Sequence, residues 1–267
     1  MTTYDQDYVA SDLWPTLNVL DNSGFAAYNI PETPVLDGRT LTLRLDSAGE
    51  VSVRFVGGGQ VELREGSAAS VHRASVKEVD PGLFLVHFVR ADDEKHAVVL
   101  VLDLSAGVAT VVRSSIVTGS AKGGLFAAEE VVGGVINGAA DLTERHQRTA
   151  ELVGRRVQYV YGPDNAYEHI YLHENAYVWH CLAGAEKGLA DVDRARVWRI
   201  RADIYLLTWQ EKVVPCDGVV ILNFRTNQST GRIWGHDTDA GTTNAIAMGA
   251  RAVMLNHTAH DPATWTA

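Results

Sequence analysis

The stretch from Val157 to Trp179 reads VQYVY-GPDN-AYEHIYLH-EN-AYVW, and its pattern is the strongest indication of the fold. Apolar or aromatic residues alternate with others before, between and after Gly162–Asn165 and Glu174–Asn175, two groups of turn-forming residues. Successive side chains of a strand point to opposite faces, so this alternation is typical of half-buried strands. The stretch therefore predicts three short antiparallel strands in which Tyr, His and Trp side chains share one face.

The same pattern occurs in the first half of the chain. Leu41–Leu45 and Val51–Phe55 alternate with polar residues, and a glycine turn follows at Gly57–Gly59. The two halves also correspond in spacing, which predicts an internal duplication. The matched positions are Gly38-Arg39 with Gly154-Arg155, Val51/Val53/Phe55 with Tyr167/His169/Tyr171, and Gly82–Val86 with Asp203–Leu207.

Evenly spaced short strands joined by tight turns favour closed barrels, because closure removes the exposed edges of an open sheet. We expect an all-β protein of two antiparallel β-barrels in tandem. Residues 1–118 would form the first barrel, and residues 119–150 a Gly/Ala-rich linker with a short helix over Asp141–Leu152. Residues 151–267 would form the second barrel, with an irregular tail from Asp239.

Composition narrows the range of partners. The net charge of -10 argues against nucleic acid and anionic membranes, since nothing would neutralise phosphate. The longest apolar runs, such as Ala97–Leu102, have strand length and are too short to span a bilayer. The polar start predicts no secretory signal, and Cys181 and Cys216 are expected to be free thiols. These observations predict a cytoplasmic protein.

Residues two apart on a strand share a face, so the residues inside each barrel can be predicted from the alternation along its strands. Buried Tyr, Trp, His and Glu are costly without hydrogen-bond partners, and a pocket for a ligand removes that difficulty. We therefore predict a structural first barrel with a filled apolar interior and a functional second barrel. The first interior is predicted to hold Leu41, Leu43, Leu45, Val51, Val53, Phe55, Val61, Leu63, Phe84, Val86 and Phe88. The second is predicted to hold Val157, Tyr159, Tyr161, Tyr167, His169, Tyr171, Tyr177, Trp179, Tyr205, Leu207, Trp209 and Glu211.

An alternative remains open, because parity does not distinguish the inner from the outer face of a barrel. In that alternative the tyrosines and tryptophans face outward or cover a subunit interface, where both residue types are common.

Five segments of the second half carry a family resemblance. They are Gly154–Tyr161, Tyr167–Leu172, Trp179-His180, Glu186–Asp191 and Trp209–Lys212. With these segments the chain resembles the MoaF family, which takes its name from a monoamine-responsive regulon, and its second half is more distantly similar to phenolic acid decarboxylases. The latter are lipocalin-like, or calycin-like, barrels that act without a cofactor.

The decarboxylase resemblance implies roles for particular residues. Two strand tyrosines that hold the substrate carboxylate match Tyr159 and Tyr161, and the proton-transferring glutamate after a strand tryptophan matches Glu211 after Trp209. The arginine of that family is not reproduced, because the loop here reads Glu186-Lys187-Gly188-Leu189. Lys187 or Arg232 is the expected substitute.

We therefore expect the second barrel to bind a small aromatic or phenolic molecule bearing a carboxylate or an amine. The leading hypothesis is a cofactor-independent lyase or isomerase. The alternatives are a non-catalytic carrier and an interaction protein whose aromatic face meets a partner. No cofactor is implied, no ligand spacing indicates a metal site, and a homodimer is left open. The catalytic candidates are Glu211, Tyr159, Tyr161 and His169, and the substrate-binding candidates are Tyr167, Tyr171, Trp179, Lys187, Trp209, Arg232 and Trp234.

Overall fold

A computed structural model describes residues 9–21, 24–47, 49–119, 124–138 and 144–261. Within these ranges the protein is all-β, and its helical structure is one 3-10 turn, Ser11–Leu13, and one short helix, α1 (Leu17–Asp21). The predicted fold class is confirmed, because the strands form two eight-stranded antiparallel barrels. No helix in the described part of the chain has the length and apolar character needed to span a bilayer.

The first barrel contains eight strands in chain order and closes by pairing its first strand with its last. Its interior holds the alternating apolar residues that the sequence predicted, from Leu41 to Phe88. The strands are β1 (Thr40–Leu45), β2 (Gly49–Phe55), β3 (Gln60–Glu65), β4 (Ala68–Asp80), β5 (Leu83–Val89), β6 (His96–Asp103), β7 (Val108–Thr118) and β8 (Leu125–Ile136).

The second barrel repeats this order, and β9 (Gln147–Arg148) pairs with its fourth strand at Trp198 and Arg199. Closure comes from the pairing of the first and last of its eight strands. These strands are β10 (Arg155–Gly162), β11 (Asn165–His173), β12 (Ala176–Ala183), β13 (Ala190–Arg201), β14 (Ile204–Gln210), β15 (Cys216–Asn223), β16 (Gln228–Asp237) and β17 (Thr242–His257).

The predicted duplication is confirmed by matching turns. Gly38 and Gly154 both adopt left-handed backbone conformations, with φ of 78° and 82°. Their N–H groups donate to the carbonyls of Phe55 and Tyr171 over 2.8 Å in each case. The same short loop, in which a glycine in the left-handed region donates to the second strand, therefore starts each barrel.

A second pair of turns matches at the start of the fifth strand of each barrel. Gly82 and Asp203 both have positive φ. Their carbonyls accept hydrogen bonds from the N–H groups of Leu104 and Phe224, both at 2.9 Å. The following strands, β5 and β14, have the same length, so the halves align residue by residue here.

The predicted linker is corrected by β8. Residues 125–136 pair with β7 along their whole length and close the first barrel against β1. The Gly/Ala content reflects close packing, since a Cβ at Gly134 would lie 2.7 Å from the Arg44 carbonyl oxygen. The barrel therefore extends well beyond residue 118.

The predicted helix over Asp141–Leu152 is also wrong where the structure describes it. Residues 141–143 lie outside the described residues, and residues 144–152 contain β9 and turns. Leu152 packs in the core of the second barrel, so its apolar character reflects that contact and not a helix face. Within the expected irregular tail, residues 242–257 instead form β17, which closes the second barrel.

The two barrels pack together through their fifth and sixth strands. The main apolar part of the contact uses the outward faces of β5, β6, β14 and β15, together with Val112 of β7 and Trp198 and Ile200 of β13. Strands β5, β6, β14 and β15 are therefore buried on both faces, which explains their continuous apolar sequences. The contact set is Leu83, Leu85, Val99, Val101, Val112, Trp198, Ile200, Ile204, Leu206, Val219 and Ile221.

Candidate functional site

The aromatic side chains of the second half lie inside the second barrel. Tyr159, Tyr167, His169 and Trp209 are each no more than 6% exposed. They pack against residues contributed from all around the barrel, including Met248 on β17, so the alternative in which they face outward is wrong. Other members of the interior cluster are Val157, Tyr161, Tyr171, Tyr177, Trp179, Tyr205 and Leu207.

His169 lies at the centre of this cluster. Its ring centroid is 4.6 Å from that of Tyr159, 4.9 Å from that of Tyr177 and 6.5 Å from that of Trp209. Burial lowers the pKa of His169 to about 3, so the imidazole is neutral at physiological pH. Its Nδ1 atom is buried and meets no hydrogen-bond partner within the described part of the chain. A neutral imidazole with a free nitrogen is suited to a hydrogen bond with a ligand.

The predicted anchor tyrosines differ in their surroundings. The hydroxyl groups of Tyr159 and Tyr171 are hydrogen-bonded to each other at 2.9 Å, whereas Tyr161 borders the remaining interior space. Burial raises the pKa of both Tyr159 and Tyr161, so both hydroxyls stay protonated. In this arrangement the hydroxyl groups of Tyr159 and Tyr161 are not placed to hold one carboxylate together.

Three carboxyl groups meet at one end of the barrel. Glu186 accepts a 2.7 Å hydrogen bond from the Tyr167 hydroxyl, and Asp193 accepts one of the same length from the Trp179 indole N–H. The Glu211 carboxylate accepts a 3.2 Å hydrogen bond from the Trp209 indole N–H. Glu186 lies in the loop between β12 and β13, Asp193 lies on β13, and Glu211 directly follows β14.

The pKa values of these carboxyl groups are raised. Burial raises the pKa of Glu211 well above its usual range, and the neighbouring Glu186 and Asp193 add to the effect. Burial also raises the pKa of Glu186, and it raises that of Asp193 to about 6. Because like charges in a buried site disfavour ionisation, the cluster holds protons close to neutral pH.

Glu186 and Asp193 are site residues that the sequence analysis missed. Glu186 entered it only as part of a loop that resembles the MoaF family. Asp193 shares strand parity with Ala195 and Val197, which both belong to the interior cluster. That parity was the available signal, because residues two apart on a strand share a face.

Three predicted binding residues lie elsewhere. Lys187 is exposed in the loop after β12. Arg232 and Trp234 are buried on the outer face of β16, where Arg232 pairs with Asp217 and Trp234 packs on Ala97 of the first barrel. The prediction that these side chains line the pocket or replace the missing arginine is therefore wrong. Strands that touch the other barrel are buried on both faces. A residue type that is usually buried, such as Trp234, therefore does not show which face of its strand lies inside the barrel.

The N-terminal segment, described over residues 9–21 and 24–29, closes the same end of the second barrel. The Phe25 ring lies 4.8 Å from that of Tyr161, and the Trp14 ring meets Trp179 edge-on at 5.7 Å. The Asn18 N–H donates to the Asp237 carboxylate over 2.8 Å. This segment thus belongs to the second barrel and not to the first, where the sequence analysis placed it.

The interior space left beneath this segment is about 30 Å³. One water molecule takes up about that volume in the liquid. The expectation of an open, ligand-sized hollow is therefore wrong for this closed arrangement. The space is bordered by Leu20, Phe25, Tyr161, Tyr167, His169, Tyr177, Trp179, Glu186, Trp209, Glu211, Ile233 and Met248.

The cysteines and the metal-ligating residue types lie as follows. Cys181 and Cys216 are both buried and free, as predicted. Within the described residues, no group of three or more His, Cys, Asp or Glu side chains is placed to hold a metal ion.

Replacing Asp193 with Asn should change the pH dependence of stability. A folded-state pKa of about 6, against 3.8 for the ordinary group, means that the folded protein binds this proton more tightly than the unfolded chain. The free energy of unfolding of the native protein should therefore fall as pH rises from about 4 to about 6, by about 3 kcal/mol from this group. Asp193→Asn should remove that part of the fall, as measured by urea unfolding at pH 4, 5, 6 and 7. The same change of unfolding free energy with pH in both proteins would contradict the raised pKa of Asp193.

Comparison with known proteins gives a consistent family match. The family model for the MoaF N-terminal domain matches residues 12–118, and that for the MoaF C-terminal domain matches residues 146–258. A 113-residue stretch is 44% identical to Protein MoaF of Klebsiella aerogenes. It covers 42% of this chain and 43% of the relative, so the match spans less than half of that protein.

A match to a solved structure is more distant. The structure is described as "Crystal Structure of a putative beta-lactamase from Burkholderia vietnamiensis". It is 14% identical with a TM-score of 0.34, and the match covers 41% of this chain and 100% of that one.

Proposed function

This chain belongs to the MoaF family, and from that premise we propose that its second barrel binds a small aromatic amine. The observation that carries the proposal is the cluster of acidic groups in the interior. Glu186 and Glu211 border the remaining space and Asp193 lies beside them, whereas no Lys or Arg borders it among the residues that the structure describes. A ligand ammonium group would stabilise the ionised form of these carboxyl groups and donate charge-assisted hydrogen bonds to them.

The aromatic walls support the same ligand class. Tyr167, Tyr177, Trp179 and Trp209 surround the space beside the acidic cluster. Aromatic faces attract cations as well as stacking on a ligand ring, and the contribution is largest where water is excluded. His169 provides a further hydrogen-bonding atom for a phenolic hydroxyl.

Room for the ligand would come from the N-terminal segment. Phe25 and Leu20 fill the barrel end where the carboxyl groups lie. Their withdrawal would open the interior without any change in the strands. Because binding would then compete with this closed form, the apparent affinity would depend on how often the segment opens.

Glu211 favours a second candidate function, a cofactor-independent lyase or isomerase. Its raised pKa keeps a proton available near neutral pH, which is what a general acid requires. A decarboxylase would also need a cation for the substrate carboxylate, and neither Lys187 nor Arg232 is positioned to provide it. We therefore place binding of an amine first.

The ligand class can be tested by calorimetric titration with three matched compounds: tyramine, 4-ethylphenol and 3-(4-hydroxyphenyl)propionate. Tyramine should bind at least about tenfold more tightly than the neutral phenol, because a charge-assisted hydrogen bond contributes about 1.5–3 kcal/mol. Glu211→Gln should remove most of that preference, while the exposed Glu174→Gln should retain it. Phe25→Ala should preserve or strengthen binding. Tighter binding of the propionate would refute the proposal.

The same variants separate a carrier from an enzyme. Incubation with hydroxycinnamates and aromatic amines, followed by ultraviolet absorbance, would detect turnover. At saturating substrate Glu211→Gln should then lower the rate by about 10²–10⁴ if Glu211 is the acid. A protein that binds tyramine and converts none of these compounds is a carrier.

A further inference from the structure

The first barrel contains a cavity that its predicted structural role does not explain. About 380 Å³ of space lies in the half of the barrel where β1, β3, β5 and β7 end. This volume falls within the range of about 300–1,000 Å³ that is usual for small-molecule sites. The expectation of a completely filled interior is therefore wrong at this end of the barrel.

The walls of the cavity are aliphatic. No Phe, Tyr or Trp lines it in the described part of the chain, in contrast to the aromatic interior of the second barrel. Such a surface fits a flexible alkyl group better than a ring. The wall residues are Leu43, Leu45, Val51, Leu63, Ala97, Val98, Leu100 and Val111.

Two arginines border the mouth of this cavity. Arg90 and Arg113 share Glu65, with N–O distances of 3.6 and 3.4 Å. Arg90 also pairs with Asp92 at 2.8 Å, and Arg113 with Glu130 at 3.2 Å. The arginine side chains are 28% and 27% exposed, whereas the carboxylates of Glu65, Asp92 and Glu130 are 40–60% exposed. The cations therefore lie deeper at the mouth than the anions.

The internal repeat allows the mouth of this cavity to be compared with the equivalent end of the second barrel. Alignment of Gly82–Val86 with Asp203–Leu207 continues without a gap along β5 and β14. Arg90 thus occupies the position in the first barrel that Glu211 occupies in the second. A basic residue in the first barrel and an acidic residue in the second therefore stand at equivalent positions next to the interior spaces.

From these observations we propose that the first barrel binds a small aliphatic carboxylate. Its alkyl chain lies among the leucines and valines, and its carboxylate takes the place of Glu65 between Arg90 and Arg113. Glu65 is sufficiently exposed to turn toward water, and its long contacts with the arginines are weaker than a direct charge-assisted hydrogen bond. This site is separate from the proposed amine site and goes beyond it.

Titration calorimetry with octanoate, octan-1-ol and octylammonium tests this site. Octanoate should bind saturably with one site per chain. Arg90→Gln and Arg113→Gln should each weaken it by about tenfold or more, with little effect on octanol. Arg54→Gln is the matched control, because Arg54 is exposed on the outer face of the same barrel. Val98→Phe should fill the cavity and remove binding of octanoate and octanol together.

The outcomes distinguish this site from the second barrel. His169→Phe and Glu211→Gln should leave octanoate binding unchanged, whatever they do to tyramine. Absence of saturable octanoate binding to the native protein would overturn the proposal. So would tighter binding of octylammonium, or full octanoate affinity in the arginine variants. If Val98→Phe fails to fold, the order of the three ligands on the native protein and the arginine variants still decides the question.

Discussion

Replacing Arg232 with Met should lower the free energy of unfolding by about 3–5 kcal/mol, the usual cost of leaving a buried charge without its partner. The Arg232 and Asp217 side chains are 2% and 0% exposed and are joined by a 2.6 Å Nη1–Oδ1 contact. Both lie on the second barrel, but the Ser114 hydroxyl of the first barrel donates to Asp217 over 2.6 Å and accepts from Arg232 over 2.8 Å. Equilibrium unfolding in guanidinium chloride measures the loss.

Two further variants make this result specific. Arg54→Met removes an exposed arginine that is 3.7 Å from Glu62, and it should cost less than about 1 kcal/mol. The double variant Arg232→Met/Asp217→Leu should recover most of the stability, because neither member of the pair is then left without its partner. A double variant as unstable as Arg232→Met alone would show that the contact between the barrels depends on something other than this ion pair.

Replacing Gly218 with Ala should disrupt the second barrel interior. Gly218 lies directly opposite Trp209 across β14 and β15. A Cβ at Gly218 would lie 1.9 Å from Cζ2 of the indole, which is far shorter than any real contact. The indole would have to leave its place beside His169 and Glu211. We expect a loss of about 1–3 kcal/mol, typical of overpacked cores, and loss of tyramine binding.

Gly124→Ala is the matched control for this change. A Cβ at Gly124 would meet no atom within 4 Å, and its φ is not in the left-handed region. Stability and tyramine affinity should therefore be close to those of the native protein. Native tyramine affinity in Gly218→Ala would contradict the role of Trp209 as a wall of the site. Octanoate binding should survive this substitution, because the aliphatic cavity lies in the other barrel.

Much of the fold was predictable because strand parity is a local property. Alternation at Tyr159 and Tyr161, and the repeated turns at Gly38 and Gly154, follow from neighbouring residues alone. The wrong predictions of secondary structure concern segments whose composition is typical of more than one kind of structure. The glycines near Gly134 permit close strand packing, although the same composition is typical of linkers.

The charged residues of the site were harder to assign. Glu211 was predicted from the resemblance to the decarboxylases, in which a glutamate follows a strand tryptophan, but Asp193 was not assigned to the site. Arg232 was expected near the ligand because a cation was needed there, and it pairs instead with Asp217 on the outer face. Sequence separation gives no information on which charged groups meet when they come from different strands.

The number of barrels, their repeat and the aromatic character of one interior could be predicted from the residues alone, because each depends on the two-residue period of a strand. Which strands are buried on both faces could not be predicted in this way, since that depends on how the two barrels pack in the folded protein. The positions at which charged side chains come together also depend on the folded structure. Closing the barrels brings together three carboxyl groups in one interior and two arginines at the mouth of the other, from residues of different strands and loops.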